Sequence, residues 1–179
     1  SVTAEYTGLQ DKTVAVIVNA DAGILYRFPQ AQLEISTAVG RELAGNVPGI
    51  TVIEPRDVVA YQMRNIYWAS ATYSQLATAL KVDRLVFIEL QEYRLNEPGN
   101  TFLYRGVISS RVDVAEADGP RPNDAAYSTL IGAAYPPNNP HGVPDADPLT
   151  IRKGVLDRFA RKVGWKFYDH QEMRSELGQ

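Results

Sequence analysis

The 179-residue chain contains no cysteine, which excludes a disulfide framework, a thiolate zinc site and a cysteine nucleophile within these residues. Histidine is almost as scarce. Only His141 and His170 occur; neither stands at a metal-like spacing from another ligand, and no Gly-x-Ser-x-Gly elbow exists. A cationic surplus is missing as well: Lys and Arg total 18 against 21 Asp and Glu, a formal net charge of -3. Nucleic-acid binding needs cations to displace counterions from phosphates, so nucleic acid is not an expected partner. No apolar run approaches the ~20 residues that a helix needs to cross a bilayer. The Gly-x-Gly-x-x-Gly and Walker A patterns are absent, and Asn19-Ala20-Asp21-Ala22-Gly23 offers a single glycine after its strand-like run. That is too little for a phosphate cradle, and no cofactor is expected.

What is present suits one globular domain. Hydrophobic residues make up 45% and charged residues 22%, near the globular averages, which argues against general disorder. The length fits a single domain of roughly 100–200 residues. Residues 1–11 are polar and aperiodic and read as a flexible lead-in. Residues 12–172 form the expected domain, and 173–179 read as a frayed tail. The first residue is Ser1, consistent with a processed chain from which a signal peptide was removed or with a trimmed one.

Within the domain, Thr13 to Asn19 is a continuous β-branched run, as expected of a strand covered on both faces. Ala20 to Pro29 reads as a loop. From Gln30 a helix is expected, with Ile35, Val39 and Leu43 on one face and a stop at Gly45-Asn46. Ile50 to Ile53 is a second strand, and Pro55 opens a short helix through Val58, Val59 and Gln62. Ser74 to Leu80 is another helix, and Leu85 to Leu90 a third strand. Phe102 to Ala115 and Tyr127 to Tyr135 are strands either side of the turn Asp118-Gly119-Pro120. The stretch from Pro136 to Pro148 is too rich in Pro, Asn, Asp and Gly for a regular element. Asp147 or Thr150 then caps a long helix whose Ile151, Val155, Phe159, Val163 and Phe167 recur every four residues. The order β-α-β-α-α-β-β-β-α defines an α/β (α+β) fold, one mixed sheet with helices packed on it and no second core.

The candidate chemistry is thin. Glu89 and Glu92 flank the end of the third strand, but their odd spacing places them on opposite faces. Asp145 and Asp147, with Asn138 and Asn139, have the ligand types of a weak calcium loop without EF-hand spacing, and an Asp before a helix is ordinarily a cap. No metal site is expected. His170 follows the last helix, where the dipole favours a cation. The basic face Arg152, Lys153, Arg158, Arg161 and Lys162 is interrupted by Asp157 and Asp169, which favours a solvated face over a lipid or nucleic-acid surface. A stretch rich in aromatics stands apart: Tyr61, Met63, Tyr67, Trp68 and Tyr73, with Phe28 as a weaker companion. Aromatics and Met are enriched in interfaces, because they bury large area at low entropy cost. They are also ordinary core residues, and both readings stay open.

The run Thr13 to Val16, the helix Ile35 to Leu43, the strand Thr51 to Pro55 and the segment Leu76 to Phe87 together resemble bacterial envelope lipoproteins. That group includes the curli-secretion channel lipoprotein, PelC and the penicillin-binding-protein activator LpoB, with their TolB N-terminal-like α/β domain. The Asp118-Gly119 hairpin and the final amphipathic helix fit as well. The resemblance spans roughly Lys12 to His170. It implies a periplasmic location, outer-membrane anchoring through a lipidated residue before Ser1, protein partners and ring-shaped homo-oligomers. Pore formation is not expected, because barrel strands need ~9–11 alternating residues each and no insertion supplies an extra pair of hairpins. The first expectation is a non-enzymatic assembly, scaffold or secretion-accessory component. A monomeric activator of an envelope enzyme is the second, and a hydrolase with an unrecognised site the third.

Overall fold

The structure, a computed structural model, describes residues 1–172. Its elements are β1 (Thr13–Asn19), α1 (Ala22–Arg27), α2 (Ala31–Asn46), β2 (Thr51–Val52), α3 (Pro55–Arg64), α4 (Tyr73–Leu80), β3 (Arg84–Glu97), β4 (Asn100–Glu116), β5 (Ala125–Tyr135), β6 (Val143–Pro144) and α5 (Pro148–Gly164). A single 3-10 turn, Trp68–Ser70, lies between α3 and α4. The six strands form one mixed sheet in the order β2-β1-β3-β4-β5, with β6 paired to β4. β1 runs parallel to β2 and β3, whereas β3, β4 and β5 are antiparallel neighbours. The expected α/β architecture is present.

The alternation of β1 divides the core between the two faces of the sheet. Val14, Val16 and Val18 meet Ile35, Val39 and Leu43 of α2 and Val163 of α5 in one apolar cluster. Ala15 and Ile17 meet Val58 of α3, Trp68 and Leu76 of α4 in another. This two-sided burial explains the uninterrupted apolar run, since every position from Val14 to Val18 is buried. It also follows from handedness. β2 and β3 lie on opposite sides of β1, so right-handed crossovers carry α2 over one face and α3–α4 over the other. The core is therefore split in two rather than single. Beyond β1 the coverage becomes one-sided: α5 packs on β4 and β5, while the second cluster includes Ala115 of β4 and no residue of β5.

Several elements differ from expectation. Asp21 accepts the Ile24 N–H (2.9 Å) and caps α1 where a loop was expected. β3 continues past Leu90 to Glu97, making a long hairpin with β4. β6 lies inside the proline-rich stretch and pairs Val143 and Pro144 with Tyr104 and Leu103. Asp147 does cap α5, accepting from the Leu149 N–H. α5 ends at Gly164, so His170 lies well beyond its last turn and the dipole argument does not reach it.

The lead-in is docked rather than loose. The Val2 N–H donates to the His170 carbonyl (2.8 Å) and the Ala4 N–H to Asp169 (2.8 Å). Tyr6 stacks on Tyr127 and meets Phe167 edge-on, and Leu9 is fully buried. Two large apolar side chains suffice to anchor a segment that has no periodicity. The segment 173–179 lies outside the described residues.

α5 approaches β4 closely at Gly106, where an added Cβ would stand 2.8 Å from the Val155 Cβ. The Gly106→Ala variant is expected to lose about 1–3 kcal/mol through overpacking. Urea titration should show a lower midpoint at an unchanged slope.

Candidate functional site

The aromatic stretch is built by the end of α3 and the turn after it. Pro55 sits in the first turn of α3, where its missing N–H costs nothing. Val58 and Gln62, four apart, turn inward, and Gln62 Nε2 donates to the Val18 carbonyl (2.9 Å). Asn65 closes the helix: its N–H and its Nδ2 both donate to the Tyr61 carbonyl. The Trp68 N–H then donates to the Asn65 carbonyl, and this tight turn leaves residues 63–67 exposed while Trp68 turns inward.

The stretch consequently separates into two groups. Trp68 is 9% exposed and packs on Phe87, as does Tyr73, with ring centroids 6.2 and 5.3 Å away. Tyr61 is half-buried against the same cluster. Met63 and Tyr67 point outward, 76% and 80% exposed, and Ile66 joins them at 75%. Ile66 is absent from the sequence-derived candidates, although an isoleucine in a turn with no inward period was the available signal. Phe28 is buried between Tyr93 (4.4 Å) and the Arg152 guanidinium (5.4 Å), and Glu34 pairs with that guanidinium. Phe28 and Trp68 have little surface to present. Met63, Ile66 and Tyr67 form the exposed apolar segment.

Tyr73 carries a polar anchor. Its hydroxyl donates to Asp113 Oδ2 (2.6 Å), while Ser128 Oγ donates to Oδ1 (2.6 Å) and Arg111 pairs with the same carboxylate (3.4 Å). Asp113 is thus saturated by structural partners. Burial, and then the bond to Asp113, pushes the Tyr73 hydroxyl up to about 12.

The carboxylate pair differs from expectation. Leu90 and Tyr93, three apart, both enter the cluster beneath α5, and the register shifts between Leu90 and Glu92. This β-bulge returns Glu92 to the face that carries Glu89, so the odd-spacing argument fails. Glu89 lies opposite Arg111 and Glu92 opposite Ser109 on the open side of the sheet. Glu92 is within 3.5 Å of Arg94. Asp147 is occupied as a cap, and Asp145 adopts a left-handed conformation in its loop. Among the described residues, no three His, Asp or Glu side chains converge as metal ligands. His170 is held at both nitrogens, by Glu172 (2.6 Å) and the Tyr168 carbonyl (3.1 Å), and stacks flat on Trp165. His141 lies in the proline-rich loop, where its N–H donates to Asn139.

No protein-family profile matches the chain, and no curated protein matches it in sequence. Solved structures do resemble it. The PelC dodecamer from Paraburkholderia phytofirmans superposes with a TM-score of 0.54 at 8% identity, over 92% of this chain and 94% of PelC. Lipoprotein GNA1162 from Neisseria meningitidis follows at 0.46 and 13% identity, covering 83% of this chain and 97% of that one. The LpoB C-terminal domain from Salmonella enterica gives 0.37 and 11%, covering 71% and 84%. The chain shares the fold of PelC.

The unfolded chain releases a tyrosine proton near pH 10, whereas Tyr73 holds its own to about 12. Its contribution to stability is complete below about pH 10 and is lost as pH rises through 12. Tyr6 and Tyr93, also raised to about 12, act in the same window. Urea midpoints at pH 9 and pH 11 should therefore fall with pH. The fall should be smaller in Tyr73→Phe, which also loses about 1 kcal/mol at pH 9 with its hydrogen bond.

Proposed function

We propose that the chain is a non-enzymatic bacterial envelope component that works by docking to other proteins, through the exposed segment Met63, Ile66 and Tyr67. The observation that carries this reading is their exposure of 75–80% on a turn fixed by buried neighbours. The Tyr67 ring supplies rigid contact area, and Met63 and Ile66 add adaptable apolar surface beside it. A non-enzymatic role is favoured because several of the residues nominated for chemistry are otherwise engaged. His170 is bonded at both ring nitrogens, Asp147 caps α5 and Glu92 pairs with Arg94.

The likeness to PelC supports an envelope location and, since PelC was solved as a dodecamer, self-assembly as one form of this docking. The lipid anchor before Ser1 belongs to the same reading, and metabolic labelling of the full gene product with a fatty acid tests it. A monomeric activator of an envelope enzyme is the second form.

A photo-crosslinking residue at position 67 should yield discrete protein adducts in cells, whereas one at Tyr26, 89% exposed, should not. Adducts between copies of the chain would favour the assembled form, and adducts with another protein the activator form. Met63→Ala should weaken capture about ten-fold without altering the unfolding midpoint. An absence of adducts at positions 63, 66 and 67 would refute the reading.

A further inference from the structure

The outer edge of β5 is the longest unpaired strand edge in the sheet. β5 spans eleven residues, AAYSTLIGAAY, and contains no charge and no proline. Natural edge strands are ordinarily protected by those very residues. Among the described residues, no backbone hydrogen bond reaches the side of β5 that faces away from β4. At its centre Leu130 is 71% exposed.

A recess of about 300 Å³ lies beside that centre, bounded by Leu130–Gly132, the end of α5 and the N-terminal segment. Lys162 lines it from α5, and Trp165, Lys166, His170 and Glu172 line it from the segment that follows. Lys166 is paired with Glu5 (2.7 Å), but Lys162 has no ion pair among the described contacts. Burial, and then the charges of Arg158 and Lys166, draw the Lys162 ammonium below the ordinary lysine range, with only Glu172 acting in the other direction. The recess thus sets an incompletely compensated cation next to a row of main-chain groups open to pairing.

We propose that the β5 edge binds an extended acidic segment of a partner protein as an added strand, with a carboxylate of that segment seated beside Lys162. Main-chain pairing supplies the affinity and the lysine selects the side chain. A second copy of this chain is a poorer occupant. Two β5 edges paired about a two-fold axis would place both α5 helices, and with them both Lys162 side chains, on the same side of the joined sheet. This surface is separate from the Met63–Tyr67 segment, so the two readings succeed or fail independently.

The test measures amide hydrogen exchange across β5 in the purified chain with two capped peptides, Ac-Thr-Val-Glu-Val-Glu-Thr-NH2 and its counterpart with lysine at both glutamates. The acidic peptide should slow exchange between Ser128 and Gly132, and the lysine peptide should bind about five-fold more weakly or worse. Lys162→Glu, a change at a partly exposed position, should reverse that preference while the unfolding midpoint stays in place. Equal protection by both peptides, or none from either at millimolar concentration, would overturn the proposal. So would protection of β5 that rises with protein concentration alone, since it would place a second copy on the edge.

Discussion

The burial of β1 on both faces is the constraint on which the other elements depend. A strand in that position needs an apolar side chain at nearly every residue, and Val14 through Val18 supply it. It also needs a helical layer on each side, which the two oppositely directed crossovers provide. Polar groups that reach into this layer are tied to the strand itself. Ser36 Oγ donates to the Val16 carbonyl, and Gln32 and Gln62, from opposite faces, both donate to the Val18 carbonyl. These bonds satisfy the side of β1 beyond its short pairing with β2, which ends at Val14. They also fix the end of α3, and with it the turn that carries the exposed apolar segment.

The sheet becomes asymmetric with distance from β1. Near β1 both faces are covered, whereas β5 and most of β4 are covered on one face, chiefly by α5. Their open face carries polar residues instead: Arg111 opposite Glu89, Ser109 opposite Glu92, and Asp113 bridged to Ser128 and Tyr73. The bulge near Leu90 marks the passage between the two regimes. It lets β3 keep Leu90, Tyr93 and Leu95 beneath α5 while the strand twists into the long hairpin. The hairpin, the staple β6 and the edge of β5 are therefore features of the one-sided half, where surface remains for partners.

Half-buried ionisable groups tie the helices and the N-terminal segment to the rest of the fold: Arg152 pairs with Glu34 over Phe28, and Tyr6 and Tyr168 donate to Glu116 and Glu42. The likeness to PelC at 8% identity is a likeness of fold.

The sequence by itself determined most of the elements and the class of fold, because periodicity reports which face of an element is buried. The β1 run, the four-residue spacing of Ile35, Val39 and Leu43, and that of Ile151, Val155 and Phe159 are direct records of packing. It also located the aromatic stretch, but not its division. Whether Trp68 or Tyr67 turns inward depends on the tight turn closed by Asn65 and on the position of Phe87, which is distant in sequence. Phe28 is buried for a similar reason: Tyr93 and Arg152 arrive from other elements. The docked N-terminal segment, the bulge that reunites Glu89 with Glu92, and the unpaired edge of β5 were decided by the tertiary structure alone. Each depends on contacts or pairing between segments far apart in the chain, which local pattern cannot encode.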